Sequence, residues 1–106
     1  MVREKPIIRE LRTFKKELSR DFPVEKIILF GSLATGRAHE DSDVDLIIVS
    51  PKFRGMGFFK RGASMYDYWT IRKPVDFLCY TPEEFKKLSK GVTIVREAEE
   101  HGIEIN

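Results

Sequence analysis

Three observations place this chain in the α/β (α+β) class: an amphipathic helical pattern near its start, three short β-branched runs separated by turn signals, and capped helical segments after the last run. In residues 3–20, Ile7, Ile8, Leu11, Phe14 and Leu18 recur at i, i+3, i+4, i+7 spacing until Asp21-Phe22-Pro23 stops the helix. That stripe is expected to lie on a sheet. Residues 26–30 (Lys-Ile-Ile-Leu-Phe) form a strand ended by Gly31, and residues 44–49 (Val-Asp-Leu-Ile-Ile-Val) form a second ended by Ser50-Pro51. Neither alternates cleanly between apolar and polar, which predicts strands covered on both faces.

Between them, residues 31–43 are too polar for a strand, and Ser32 is positioned to cap a short helix from Leu33 to about Arg37. Residues 51–64, with Gly55, Gly57 and Gly62 among Lys52, Arg54, Lys60 and Arg61, read as a mobile basic loop leading into a helix around residues 65–71, before Pro74. Residues 75–80 are the third strand. Thr81-Pro82-Glu83-Glu84 then carries a capping box with proline at the first helical position, predicting a helix to about Lys90. A last helix, residues 92–101, is expected to end at Gly102 in a left-handed cap, with residues 103–105 adding an edge strand.

The 106 residues and 12.4 kDa predict one domain over 1–106, and the composition (42% hydrophobic, 34% charged) excludes disordered, collagen-like and disulfide-scaffold classes. No window reads as a membrane span, and the charged first ten residues are unlike a signal peptide, so a cytoplasmic protein is expected. The lone Cys79 makes no internal disulfide. A net charge of +2 argues for no nucleic-acid-binding stripe, so direct nucleic-acid binding is not expected.

The chemistry concentrates in residues 30–46, joined at a distance to Asp76. Asp43 and Asp45 stand two apart at the mouth of an apolar strand, so they share a face at ~3.3 Å of rise per residue. Carboxylates so placed repel each other unless a cation lies between them, and hard Mg²⁺ suits an oxygen-only site that also meets phosphates. Asp76 occupies a strand position, between Val75 and Phe77, where packing alone would place an apolar residue. If its strand lies beside the second, it completes a three-carboxylate site for one or two metal ions. Upstream, Gly31-Ser32 at a strand end before a helix offers backbone N–H groups and a hydroxyl to an anion, and Gly36 closes that helix. His39 and His101 read as a solvated loop side chain and a favourable charge at a helix C-terminus. Cys79, Tyr66, Tyr68 and Trp69 read as core.

Gly31, Ser32, Gly36, Asp43, Asp45 and Asp76 resemble the signature of the nucleotidyltransferase superfamily related to DNA polymerase β: Gly-Ser, a short helix with a further Gly, Asp-x-Asp and a distal third Asp. With Ser42 before Asp43 and Leu46 after Asp45, the stretch is similar to the minimal nucleotidyltransferases of prokaryotes. The resemblance implies a small mixed sheet flanked by helices, two Mg²⁺, and transfer of AMP from ATP to a hydroxyl. It further implies that Asp43, Asp45 and Asp76 bind metal and catalyse, while Gly31, Ser32, Gly36 and Ser42 hold the nucleotide. Where many relatives have Ala-Arg-Gly, this chain has Ala34-Thr35-Gly36, and the basic group beside the triphosphate falls to Arg37, with Lys60 and Arg61 as further candidates. For minimal nucleotidyltransferases the resemblance implies an antitoxin that adenylylates a tyrosine of a partner HEPN ribonuclease toxin, in a homo- or hetero-oligomer. At 106 residues no separate acceptor-gripping domain is expected, and Arg54, Phe58, Phe59 and Arg61 are expected to meet the partner at the carboxylate mouth. A catalytically silent antitoxin, and a catalytic subunit working with a separate substrate-binding protein on a small molecule, stand as alternatives.

Overall fold

The computed structural model describes residues 5–36 and 42–106. In chain order the elements are α1 (Pro6–Leu18), β1 (Lys26–Phe30), α2 (Ser32–Thr35), β2 (Val44–Val49), a single 3-10 turn (Pro51–Phe53), α3 (Phe58–Tyr66), β3 (Val75–Tyr80), α4 (Pro82–Ser89), α5 (Ile94–His101) and β4 (Ile103–Glu104). They build one four-stranded mixed sheet of order β3-β2-β1-β4. β1 is antiparallel to both neighbours, and β2 and β3 are parallel, joined across α3.

Each face of the sheet has its own core. On one, Ile27, Leu29, Val44, Leu46 and Ile48 pack against the α1 stripe of Ile7, Ile8, Leu11, Phe14 and Leu18, which is why that stripe recurs at helical spacing. On the other, Ile28, Ile47 and Val49 pack against Phe85 of α4 and Val95 and Ala98 of α5. This two-sided burial explains the unbroken apolar runs of β1 and β2.

Four local expectations are corrected. Ser32 is the first helical residue of α2 rather than its cap; Gly31 holds the cap position, and Gly36 ends the helix at φ 80°. Residues 58–66, not 65–71, form the helix after β2. Arg61 takes an apolar position there, its side chain buried beside Phe53 and Met65, so the apolar periodicity was hidden by a charged residue. Gly102 has φ −82° and ψ 178°, extended rather than left-handed. Its lack of a side chain is required by proximity, since a Cβ would lie 2.4 Å from the Ala98 carbonyl oxygen and 2.7 Å from Ile28 Cγ2. The capping box of α4 forms as expected: Thr81 Oγ1 accepts from the Glu84 N–H at 3.2 Å, and Glu84 accepts from the Thr81 N–H at 2.7 Å.

Candidate active site

Strand register assembles the carboxylates. Phe30 of β1 pairs with Asp45 of β2, and Asp45 pairs with Asp76 of β3, so one row crosses the end of the sheet. Both acids alternate with residues of the α1-side core, Val44 and Leu46 in β2 and Val75 in β3, and therefore lie on the opposite face, which carries α4 and α5. Asp43 stands just ahead of β2, two residues before Asp45, and its charge acts on the Asp45 carboxyl.

Partial burial, followed by the charges of Asp76 and Asp43, raises the proton affinity of the Asp45 carboxyl. Asp43 and Asp76 are exposed, and Asp45 is half-buried. Among the described residues, no three or more His, Cys, Asp or Glu side chains form a ready-made metal cage. Three mutually repelling oxygen donors at one sheet end nonetheless fit a hard divalent cation, which would relieve that repulsion.

Gly31 joins this site to β1. Its backbone has φ 75° and ψ −155°, and a Cβ there would stand 2.5 Å from Asp45 Oδ2. Only glycine meets both conditions. The chain then turns directly into α2, whose Ala34 and Thr35 N–H groups bond the Gly31 carbonyl at 3.1 and 3.2 Å. The N–H groups of Ser32 and Leu33 precede the first closed turn and lack an intrahelical acceptor. Ser32 is half-buried, Gly36 exposed and Ser42 buried just before Asp43. Arg37 and His39 lie outside the described residues.

In the basic segment after β2, Lys52, Arg54 and Arg61 are tied down away from this mouth. The segment leaves the C-terminal end of β2, whereas Asp43 and Asp45 mark the N-terminal end. Lys52 donates to the Asp21 carbonyl at 2.9 Å and lies over the Phe22 ring, while Arg54 pairs with Glu83. Arg61 is buried, donating to Glu84 at 2.6 Å, to the Cys79 carbonyl at 3.2 Å and to the Met56 carbonyl at 2.9 Å. It is a structural strut and does not face a nucleotide. Of the four residues expected at the mouth, Phe58 and Phe59 line a hollow that opens onto it, along α3, which runs back past β3 from the Cys79 carbonyl at Arg61 to the Val75 carbonyl at Tyr66.

Two hollows open beside Asp45. One, of about 360 Å³, lies between Gly31, Thr35 and the α5 residues Ile94, Glu97 and His101. The other, of about 570 Å³, lies between α3 and Asp76. The α5 wall was not singled out in the sequence; His101 was read only as a helix-end charge, because nothing local shows which side of the sheet α5 covers. Tyr66, read as core, is half-exposed on the second hollow, with its ring 5.1 Å from Phe77 and its hydroxyl donating to the Val75 carbonyl at 2.8 Å. Trp69 packs on Phe14 and Phe77 as expected.

The family model described as "Nucleotidyltransferase domain" matches residues 11–105. A Methanocaldococcus jannaschii chain named as a "Putative protein adenylyltransferase" is 27% identical over 101 residues, which cover 93% of this chain and 98% of that one. The crystal structure of "a putative nucleotidyltransferase" from Sulfolobus solfataricus superposes with a TM-score of 0.62 at 26% identity, covering 76% of this chain and 71% of that one. A toxin–antitoxin structure with AMP-PNP superposes with a TM-score of 0.57 at 18% identity, over 90% of this chain and 72% of that one, a likeness of fold. With the matched model spanning nearly all of the chain and its β1–α2–β2 unit carrying the Gly-Ser and Asp-x-Asp residues at one sheet end, this protein belongs to the nucleotidyltransferase domain family.

Proposed function

We propose that the chain, acting as a single domain over 1–106, transfers AMP from ATP to a tyrosine hydroxyl of a partner HEPN-type ribonuclease toxin, and so serves as the antitoxin of that pair in the cytoplasm. The observation that carries the transfer chemistry is the register Phe30–Asp45–Asp76 with Gly31 packed against Asp45. The acceptor reading is supported by a relative named for protein adenylylation and by the fold shared with a toxin–antitoxin structure with the ATP analogue AMP-PNP.

In this reading Asp43, Asp45 and Asp76 would hold the Mg²⁺ ions, which would supply positive charge against the phosphoryl oxygens of the transition state. The Ser32 hydroxyl and the N–H groups at the start of α2 orient the β- and γ-phosphates, with Gly36 letting the chain turn away and Ser42 and Arg37 completing the nucleotide contacts. Asp76 accepts the acceptor's hydroxyl proton as the oxygen attacks the α-phosphorus. The new O–P bond forms, the bond from that phosphorus to the bridging oxygen of the β-phosphate breaks, and pyrophosphate leaves with its electron pair.

The test is incubation of the chain and co-expressed partner proteins with Mg²⁺ and α-labelled ATP, followed by mass spectrometry for an AMP adduct. Wild type is expected to label a tyrosine. Asp43→Ala and Asp76→Asn are expected to abolish labelling, with the metal-free fold at least as stable because each removes one of three repelling charges. Transfer at the wild-type rate by Asp43→Ala overturns the site assignment, and label on free nucleotides or small molecules but never on protein overturns the acceptor.

A further inference from the structure

The chemistry above uses the carboxylates of the hollow beside α3 but not its aromatic wall. Asp45 and Asp76 form one part of its lining, Phe58, Phe59 and Tyr66 of α3 another, and Ile94 of α5 a third. All four apolar or aromatic side chains are exposed: Phe58 54%, Phe59 90%, Tyr66 53% and Ile94 52%. Gly62 and Ala63 keep the α3 side open between the rings. Exposed aromatic surface contiguous with carboxylates marks a binding site more than it marks ordinary surface.

Its aromatic wall selects the occupant. Among the described residues, Asp45 and Asp76 are the only charged ones in its lining, and no Lys or Arg lines it. The hollow on the other side of Asp45 is the one that reaches Gly31 and Thr35. Two substrates must meet at one phosphorus, and the reading above gives the Gly31 side to the nucleotide. The aromatic side is left for the group that attacks.

We propose that the α3 groove is the acceptor subsite and that it selects a phenol, a tyrosine side chain whose ring lies against Phe58, Phe59 and Tyr66 and whose hydroxyl donates to Asp76. This rests on the transfer reading and adds to it the residues that choose the acceptor. A ring against aromatic walls gains edge and stacking contacts that a serine or threonine hydroxyl lacks. A volume of about 570 Å³ exceeds a single ring, leaving space for the polypeptide that carries it.

The experiment follows backbone and aromatic NMR resonances of the isotope-labelled full chain during separate titrations with Mg²⁺-ATP, N-acetyltyrosinamide and N-acetylserinamide. Tyrosinamide is expected to shift Phe58, Phe59, Gly62, Ala63 and Tyr66, ATP to shift residues 31–36, and serinamide to shift neither set. A Phe58→Ala, Phe59→Ala double variant is expected to weaken the tyrosinamide response about tenfold. Its response to ATP is expected to persist, which also shows that it folds. Tyrosinamide leaving α3 unmoved, serinamide shifting it equally, or ATP shifting the α3 residues each overturns the proposal. ATP with Mg²⁺ shifting nothing anywhere counts instead against the transfer reading.

Discussion

At the scale of single residues, Gly31 and Arg61 show how differently a side chain can matter. Gly31 was legible as a turn residue from Phe-Gly-Ser after an apolar run; that its missing Cβ makes room for Asp45 was not, because the two are brought together only by strand pairing. Gly31→Ala is expected to cost ~1–3 kcal/mol from left-handed strain, to displace the Asp45 carboxylate, and to abolish ATP binding. Urea unfolding and calorimetric titration check both, and unaltered ATP affinity would show that Asp45 tolerates the methyl. Arg61 carries the opposite lesson. A Lys/Arg cluster among glycines reads as solvated loop, yet this guanidinium is buried against two carbonyls and Glu84. Arg61→Ala is expected to destabilise by about 2 kcal/mol through the unsatisfied Cys79 carbonyl, with ATP affinity unchanged. The Arg61 hydrogen bond holds the Glu84 carboxyl below its ordinary 4.5. A depressed carboxyl stabilises the fold above its unfolded value and loses that contribution as pH falls through the folded value. The acid limb of stability is therefore expected to flatten in Arg61→Ala, measured by urea melts between about pH 5 and pH 3.

At the scale of elements, what could be read depended on whether the signal was local. The α4 start was complete in Thr81-Pro82-Glu83-Glu84, because capping bonds span three residues. The α3 start was not, because Gly57 caps it without a side-chain bond and Arg61 interrupts the apolar period. The end of α5 was placed correctly for the wrong reason. Gly102 is needed because helix and sheet meet there: a Cβ would also lie 2.8 Å from the Leu29 carbonyl oxygen. Gly102→Ala is expected to push α5 off β1 at a cost of ~1–3 kcal/mol. It should also enlarge the hollow walled by Glu97 and His101, seen as faster hydrogen exchange in residues 98–105; exchange as slow as wild type would count against this close-contact role.

At the scale of the whole molecule, one sheet with a core on each face leaves Cys79 in the α1-side core, 2% exposed. Burial pushes its thiol up to about 12, so the native protein is expected to resist iodoacetamide. Modification should instead follow unfolding, with a rate that rises in urea as the folded population falls. Rapid labelling in native buffer would show an opening that reaches the sheet. Among the described residues no helix is long and apolar enough to cross a membrane.

The sequence by itself determined the three long strands, the α1 stripe, the α4 cap and the candidate carboxylates, since periodicity, capping and residue chemistry are written in neighbours along the chain. It also carried the family, through Gly-Ser and Asp-x-Asp together within residues 31–45 of one β1–α2–β2 unit. Only the tertiary structure decided that Asp76 lies opposite Asp45, that Lys52, Arg54 and Arg61 are tied down away from the carboxylates, and that α3 and α5 frame two adjoining hollows that share Phe30, Asp45 and Ile94. Those facts depend on strand order and on which face each helix covers. Both are set by burying the two faces of the sheet together, a condition on the whole chain that no local window expresses.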